Sequence, residues 1–123
     1  KGIGRVMPAF EGRFETLAIR VPTTNVSLMD LNVMVEKDTN TERVNRILKK
    51  AAETNLLDVL GFSDEELVSC DYNHDPRSGI VDGNQTRVSG TRLVKVLTWF
   101  DNEWGYANRM LDTAIELSKC IGT

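Results

Sequence analysis

The chain has 123 residues, of which 41% are hydrophobic and 27% are charged, and its formal net charge is −3. This length allows one domain with a small core, and the composition is ordinary for a globular protein. Its longest basic run is Lys49-Lys50, and no apolar run approaches the about 20 residues of a membrane-spanning helix. Cys70 and Cys120 are too far apart to suggest a metal site and are typical of a reduced, cytoplasmic protein. The sequence therefore predicts no nucleic-acid, membrane or metal partner.

The first third of the chain contains two alternating patterns. Residues 1–10 resemble the end of a helix or a loop that ends at Pro8. Apolar and polar side chains alternate over residues 13–21 and again over residues 27–36, as they do in half-buried strands. The Pro-Thr-Thr-Asn sequence of residues 22–25 predicts a turn between them.

The middle of the chain is predicted to hold one helix and two short strands. Thr39 and Glu42 have capping-box spacing and predict a helix that ends near Glu53. The apolar side chains of this helix recur on one stripe, at Val44, Ile47, Leu48 and Ala51. Short strands are then predicted at residues 67–70 and 79–81, with a polar turn between them.

A buried strand and a helix end the chain. Residues 93–99 are almost continuously apolar or β-branched, which is typical of a buried strand. Either Asp101 or Asn102 then offers a side-chain oxygen to cap a helix. Apolar residues of that helix recur at helical spacing, at Trp104, Ala107, Leu111, Ala114 and Ile115. Together the elements predict an α+β fold, a mostly antiparallel sheet with helices packed on one face.

Two separate motifs resemble those of the phosphorylating glyceraldehyde-3-phosphate dehydrogenase family. Residues 101–106, Asp-Asn-Glu-Trp-Gly-Tyr, are similar to a signature near the family's C-terminus. Residues 20–27, Arg-Val-Pro-Thr-Thr-Asn-Val-Ser, are similar to an upstream segment of the same family, and the two occur in the family's order. The resemblance implies that residues 1–123 are the C-terminal portion of the catalytic domain. The NAD-binding Rossmann domain, the nucleophilic cysteine and its activating histidine are then expected upstream of Lys1.

Three further runs resemble the erythrose-4-phosphate dehydrogenase branch of this family: residues 71–76, 82–90 and 107–113. The resemblance implies a cytoplasmic homo-tetramer that uses NAD to oxidise D-erythrose 4-phosphate, an aldehyde phosphate, to 4-phosphoerythronate for pyridoxal phosphate synthesis. This chain by itself is expected to be inactive. Two alternatives stay open: the glyceraldehyde-3-phosphate dehydrogenase of glycolysis, and a non-catalytic α+β binding or assembly module.

Three residues are candidates for ligand binding. Arg20 precedes a turn, where its guanidinium could bind a phosphate through two parallel hydrogen bonds, although spacing alone favours an ordinary surface arginine. The resemblance implies that Arg20 binds the substrate phosphate. Asn102 has the position of a common helix cap, and the resemblance implies that it binds the nicotinamide carboxamide of NAD. The resemblance also places Tyr106 beside the nicotinamide.

Two other reactive side chains are not expected to be catalytic. Cys70 follows apolar residues in a predicted strand, where a buried thiol acts as a small hydrophobe, and it lacks the family's Cys-Thr-Thr-Asn context. His74 is the single histidine and lies in a polar turn, where a solvated side chain is expected rather than a general base. We therefore predict no catalytic residue and no metal ligand within residues 1–123.

Overall fold

The computed structural model describes residues 3–121, whose centre is a four-stranded mixed sheet with the strand order β1-β4-β3-β2. The strands are β1 (Ser27–Met34), β2 (Leu60–Ser63), β3 (Gly79–Ser89) and β4 (Leu93–Phe100). The helices are α1 (Ile3–Val6), α2 (Thr41–Glu53) and α3 (Asn102–Ile121), with 3₁₀ turns at Pro8–Phe10 and Ser69–Tyr72. β4 pairs antiparallel with β1 and β3, whereas β2 pairs parallel with β3. The predicted α+β class is confirmed.

The β3–β4 hairpin is the longest paired element and extends well beyond the short strand predicted at residues 79–81. Gly90 follows β3 with a φ of +60°, a left-handed conformation that glycine adopts without steric cost, and it allows the chain to turn into β4. The register of the pair shifts between Asp82 and Arg87, so the intervening residues of β3 bulge from the ladder. The sequence pattern did not reveal this bulge.

Helix α2 covers one face of the sheet. Its side chains Val44 and Leu48 pack against a buried cluster formed by Val81, Val94 and Val96. Asn45 also binds the sheet, since its Nδ2 donates a hydrogen bond of 2.9 Å to the carbonyl oxygen of Gly83 in β3. The predicted apolar stripe is only partly buried, since Ile47 is 57% exposed, and the half-buried Val44 and Leu48 fix α2 on the sheet.

The start of α2 differs from the prediction by one residue. Thr39 was expected to cap the helix, but the cap is Asn40, whose Oδ1 accepts a hydrogen bond of 2.9 Å from the backbone nitrogen of Arg43. Asn and Thr are both good capping residues, so two adjacent candidates cannot be separated by residue type alone. Asn40 has the extended backbone that a cap needs, with φ −141° and ψ 170°.

The opposite face of the sheet carries a second, smaller cluster. Ile80 of β3 is 1% exposed and packs with Val26, which precedes β1, and with Tyr72 of the second 3₁₀ turn. The Tyr72 ring stacks on Trp99 of β4, with centroids 5.5 Å apart and planes 11° apart. This cluster holds two connecting segments against the sheet beside the end of β4.

The strand predicted at residues 13–21 is wrong. This segment forms no regular element, and its apolar side chains are exposed, with Leu17 at 86% and Ile19 at 76%. Alternation makes a segment suitable for a strand, but a strand also needs a neighbouring backbone to receive its hydrogen bonds. Within residues 3–121 the sheet ends at β1, and residues 13–21 pair with none of its four strands.

The strand predicted at residues 67–70 is also wrong. Residues Ser69–Tyr72 form a 3₁₀ turn, which is stabilised where Asp71 Oδ2 accepts a 2.8 Å hydrogen bond from the backbone nitrogen of Val68. Cys70 is therefore exposed, not buried as expected. The strand in this region is instead β2, whose Gly and Ser residues weakened its sequence signal.

Helix α3 is confirmed, but its apolar stripe is not buried. Leu111 is 64% exposed and Ile115 is 55% exposed, whereas the buried residue of the helix is Gly105 in its first turn. An ideal Cβ on Gly105 would lie 2.9 Å from the carbonyl oxygen of Arg77, so the glycine permits close contact with the segment before β3. None of the described helices is long and apolar enough to cross a membrane.

Candidate functional site

The corner between β4 and α3 is built around the carboxylate of Asp101. This side chain is 1% exposed. Its Oδ1 accepts hydrogen bonds from the backbone nitrogens of Glu103, at 3.2 Å, and Trp104, at 2.9 Å. Of the two candidate caps at the start of α3, Asp101 is therefore the residue that caps the helix, which leaves the side chain of Asn102 available for other contacts.

The second oxygen of Asp101 binds two other segments of the chain. Oδ2 accepts a 2.9 Å hydrogen bond from Nδ2 of Asn25 and another of 2.9 Å from the backbone nitrogen of His74. Asn25 Nδ2 also donates to Oδ1 of Asn73. One buried carboxylate thus joins the segment before β1, the segment after the second 3₁₀ turn, and the first turn of α3. We call these residues, Asn25, Asn73, His74 and Asp101, the Asp101 junction.

The hydrogen bonds determine the charge state of Asp101. Burial by itself raises the pKa of the carboxyl, but the backbone hydrogen bonds from Trp104, His74 and Glu103 and the side-chain bond from Asn25 outweigh it and lower the pKa below its ordinary value. The N-terminus of α3 contributes a favourable dipole at the same place. Asp101 is therefore an ionised acceptor at neutral pH.

One residue of the Asp101 junction and one directly beside it have an unusual backbone. Val26, directly after Asn25, has a φ of +69°, and His74 has a φ of +60°. Residues other than glycine rarely adopt positive φ, and for a β-branched valine this conformation is a true outlier that costs free energy. Val26 is held in it by burial against Ile80 and Tyr72. The ring of His74 lies 4.8 Å from that of Trp104, tilted by 41°.

A cavity of about 320 Å³ lies beside the junction. Its lining is mixed: Pro22 and Val26 are apolar, whereas the other lining residues carry hydroxyl, amide or thiol groups, at Thr23, Thr24, Asn25, Ser69, Cys70 and Asn73. Such a lining can bind a small polar molecule through hydrogen bonds. A second cavity, of about 370 Å³, is mostly apolar and lies between α2 and the β1–β4 side of the sheet. Among the described residues, no group of three or more His, Cys, Asp or Glu side chains could hold a metal ion.

The structure places the three predicted site residues on two sides of the junction. Arg20 is exposed and lies two residues before Pro22, which lines the 320 Å³ cavity. Asn102 is the exposed first residue of α3, and Tyr106, which is 67% exposed, follows one helical turn later. Residues four apart share one face of a helix, so Asn102 and Tyr106 are neighbours on the surface. The bond between Asn25 and Asp101 connects the Arg20 side to the Asn102 side.

Sequence reasoning missed most of the Asp101 junction. Asp101 was considered only as a helix cap, and Asn25 only as a turn residue. Asn25 and Asp101 are 76 positions apart, and no periodicity relates them. The available signal was that each lies inside one of the two family-like motifs, at residues 20–27 and 101–106. The structure shows that these two motifs are in direct contact.

The comparison with protein families agrees with this geometry. Residues 1–102 match the family described as glyceraldehyde 3-phosphate dehydrogenase, C-terminal domain. The matched range includes all four residues of the Asp101 junction, together with Arg20 and Asn102, while Tyr106 follows it. The match covers well over half of the chain. The chain therefore belongs to the glyceraldehyde-3-phosphate dehydrogenase C-terminal domain family, a family of oxidoreductases.

Proposed function

We propose that this chain supplies the C-terminal portion of the catalytic domain of an NAD-dependent dehydrogenase that oxidises D-erythrose 4-phosphate to 4-phosphoerythronate. The single observation that carries the proposal is the contact between the two family motifs through the bond from Asn25 to Asp101. That contact brings a candidate phosphate-binding segment next to a candidate cofactor-binding helix end. The nucleophile, its base and the Rossmann domain belong, in this proposal, to a part of the protein upstream of Lys1.

Arg20 is the proposed phosphate ligand. Arg20 is exposed, and the segment that carries it leads into the 320 Å³ cavity, whose lining includes Thr23 and Thr24. An exposed arginine keeps its donors available for a bidentate contact with a phosphate, and nearby hydroxyls can complete the coordination. In this arrangement Arg20 binds and orients the substrate and takes no part in the chemistry.

Asn102 and Tyr106 are the proposed cofactor ligands. Because Asp101 caps α3, the carboxamide of Asn102 is free to pair with the planar carboxamide of a nicotinamide, and the exposed ring of Tyr106 lies on the same helix face. This donor set fits NAD, which accepts a hydride when bound. The two side chains would hold the ring in an orientation suited to hydride transfer, a positioning effect that can contribute strongly to rate.

One branch-typical run supports the erythrose 4-phosphate assignment. Residues 71–76 include Asn73 and His74, which contact Asn25 and Asp101 at the junction. If the two branches of the family differ at Asn73 and His74, that difference lies next to the proposed substrate cavity. The alternative is a glyceraldehyde-3-phosphate dehydrogenase, for which the same residues would bind the same groups of a shorter substrate.

The decisive assay uses the whole protein that carries this chain. It should produce NADH from NAD and D-erythrose 4-phosphate, at a rate that does not depend on inorganic phosphate. Faster NADH production from D-glyceraldehyde 3-phosphate that requires inorganic phosphate would instead show the phosphorylating glycolytic activity. No NADH from either aldehyde phosphate would contradict the proposal and favour a non-catalytic module.

Two substitutions in the whole protein test the residue roles. Arg20→Ala should lower kcat/KM for the aldehyde phosphate about ten- to a hundredfold, as expected for the loss of one charge-assisted contact of about 1.5–3 kcal/mol. Arg13→Ala, which removes another exposed arginine from the same irregular segment, is the matched control and should have no effect. Asn102→Ala should raise the KM for NAD and lower kcat. Normal NAD kinetics in that variant would reject the cofactor role.

We also propose that the whole protein is a cytoplasmic homo-tetramer. The edge strand β1 leaves large apolar side chains in contact with solvent, at Leu28, Met29, Val33 and Met34. An apolar strand at a sheet edge is usually covered in the assembled protein. Sedimentation equilibrium of the whole protein should give the tetramer mass, and a stable monomer would refute this part of the proposal.

A further inference from the structure

We propose that Asp101 is a positioning residue that joins the substrate-side turn, residues 22–25, to the cofactor-side end of α3 as one mechanical unit. The inference rests on the proposed function, since it assigns to Asp101 the task of aligning the Arg20 side of the site with Asn102. Asp101 itself is buried and touches neither ligand in this proposal. It acts through Asn25 on one side and through the first turn of α3 on the other.

The geometry of the hydrogen bonds supports this role. A simple helix cap needs one acceptor oxygen, and Asp101 Oδ1 fulfils that task with Glu103 and Trp104. Its Oδ2 is occupied by two donors from elsewhere in the chain, Asn25 and His74. Only a carboxylate offers acceptors on both sides, because an amide in the same place would point its NH₂ group at two N–H donors. Capping alone therefore does not explain why an aspartate is present.

The strained backbone around the carboxylate supports the same conclusion. Val26 and His74 both have positive φ. Val26 follows Asn25, whose side chain donates to Asp101, and His74 donates to Asp101 through its own backbone nitrogen. Such conformations persist where the surrounding contacts impose them, and they are concentrated at sites that need a fixed geometry. With this backbone, the side chain of Asn25 and the N–H of His74 donate to the same oxygen, Oδ2 of Asp101.

A positioning role makes a prediction that a merely structural role does not. Asn25 lies on the proposed substrate side, yet loss of its bond to Asp101 should also loosen the placement of α3 and hence of Asn102. The KM for NAD should therefore respond to a substitution that is remote from the cofactor ligands. If the junction only stabilised the fold, the melting temperature would fall while both KM values stayed normal.

The test uses Asn25→Ala in the whole protein, with Asn32→Ala as its matched control. Asn32 is another asparagine, in β1, whose Nδ2 donates a comparable 2.9 Å hydrogen bond, but to the nearby Asp30. We expect Asn25→Ala to raise the KM for NAD and the KM for the aldehyde phosphate, and to lower kcat/KM about tenfold for the loss of one hydrogen bond to a charged group. Asn32→Ala should leave all three values unchanged.

Asp101→Asn completes the experiment. Because this change leaves donors facing donors at a buried site, the variant could fold poorly, and Asn25→Ala keeps the proposal testable in that case. Where both variants fold, the double variant Asn25→Ala/Asp101→Asn should lose less kcat/KM, expressed as a free energy, than the sum of the two single losses, since both changes break the same hydrogen bond. Additive effects would overturn the proposal.

The outcomes separate this inference from the proposed function. If Arg20→Ala and Asn102→Ala change catalysis but Asn25→Ala leaves the KM for NAD normal, the positioning role is refuted and the proposed function stands. If Arg20→Ala and Asn102→Ala are both without effect, the proposed function itself fails and the inference fails with it.

Discussion

Replacement of Gly105 by alanine tests how α3 is docked. Gly105 is buried in the first turn of the helix, and an ideal Cβ there would lie 2.9 Å from the carbonyl oxygen of Arg77 and 3.8 Å from Cα of Ser78. Both are backbone atoms, which cannot rotate away as a side chain can. This segment is also anchored, because the backbone nitrogen of Ser78 donates a 2.8 Å hydrogen bond to the carbonyl oxygen of Val59. The added methyl group must therefore displace the helix.

Two effects of opposite sign determine the magnitude. Overpacking of a tight contact costs about 1–3 kcal/mol, whereas alanine is favoured over glycine within a helix by about 1 kcal/mol. Because the contact is with a restrained backbone oxygen, we expect the upper part of the first range and a net loss of about 1–2 kcal/mol in the free energy of unfolding. For a domain of this size that loss corresponds to a fall of roughly 3–10 °C in Tm.

Urea and thermal unfolding of Gly105→Ala should be compared with Ala107→Gly. Ala107 is exposed in the same helix, so glycine there should cost about 1 kcal/mol through helix propensity alone. The two substitutions exchange the same residues in opposite directions, and yet both should destabilise the protein. A rise in Tm for Gly105→Ala would mean that propensity decides at this position, and the argument for a close backbone contact would be refuted.

Three other expectations follow from the structure. The pKa of Asp101 is lowered in the folded protein, so its ionised form stabilises the fold at pH values above the unfolded pKa of about 3.9. This contribution is lost as the pH falls through the lower folded pKa. The difference in free energy of unfolding between the native protein and Asp101→Asn, measured in urea at several pH values, should therefore shrink below about pH 4. Asn40→Ala should cost about 1 kcal/mol in urea unfolding and Thr39→Ala clearly less, and equal losses would contradict the cap assignment. Cys70→Ser changes an exposed thiol and should alter the free energy of unfolding by less than about 0.5 kcal/mol. Because serine keeps a small hydrogen-bonding group at the cavity that Cys70 lines, the whole protein should still produce NADH, whereas loss of turnover would make the Cys70 thiol a functional group.

Elements with strong local patterns could be predicted from the sequence. The alternation around β1, the apolar run of β4, and the amphipathic periods of α2 and α3 each indicate the type of element, because neighbouring residues encode the period of a strand or a helix. The end of β4 and the start of α3 were correctly placed at the Asp101–Asn102 corner for the same reason. The resemblance of residues 20–27 and 101–106 also indicated the correct family.

Other features depend on what each segment meets in the folded chain. Residues 13–21 alternate as well as β1 does, but β1 pairs with β4 and the earlier segment pairs with no strand of the described sheet. β2 has a weak pattern and becomes a strand because it lies parallel to β3. Strand formation requires hydrogen bonds to the backbone of another segment. A local pattern therefore neither proves that a segment forms a strand nor excludes it.

The Asp101 junction also could not be predicted from local sequence patterns. Asp101, Asn25 and His74 are ordinary cap and turn residues in sequence, and each has a plausible local role. Their connection depends on the antiparallel pairing of β1 with β4, which places the end of β4 beside the turn before β1, and it is accompanied by positive φ at Val26 and His74. Contacts across 76 and 27 positions are long-range, so neither periodicity nor residue type determines them. The sequence by itself thus determined the elements and the family, whereas only the tertiary structure decided which polar groups share the buried carboxylate.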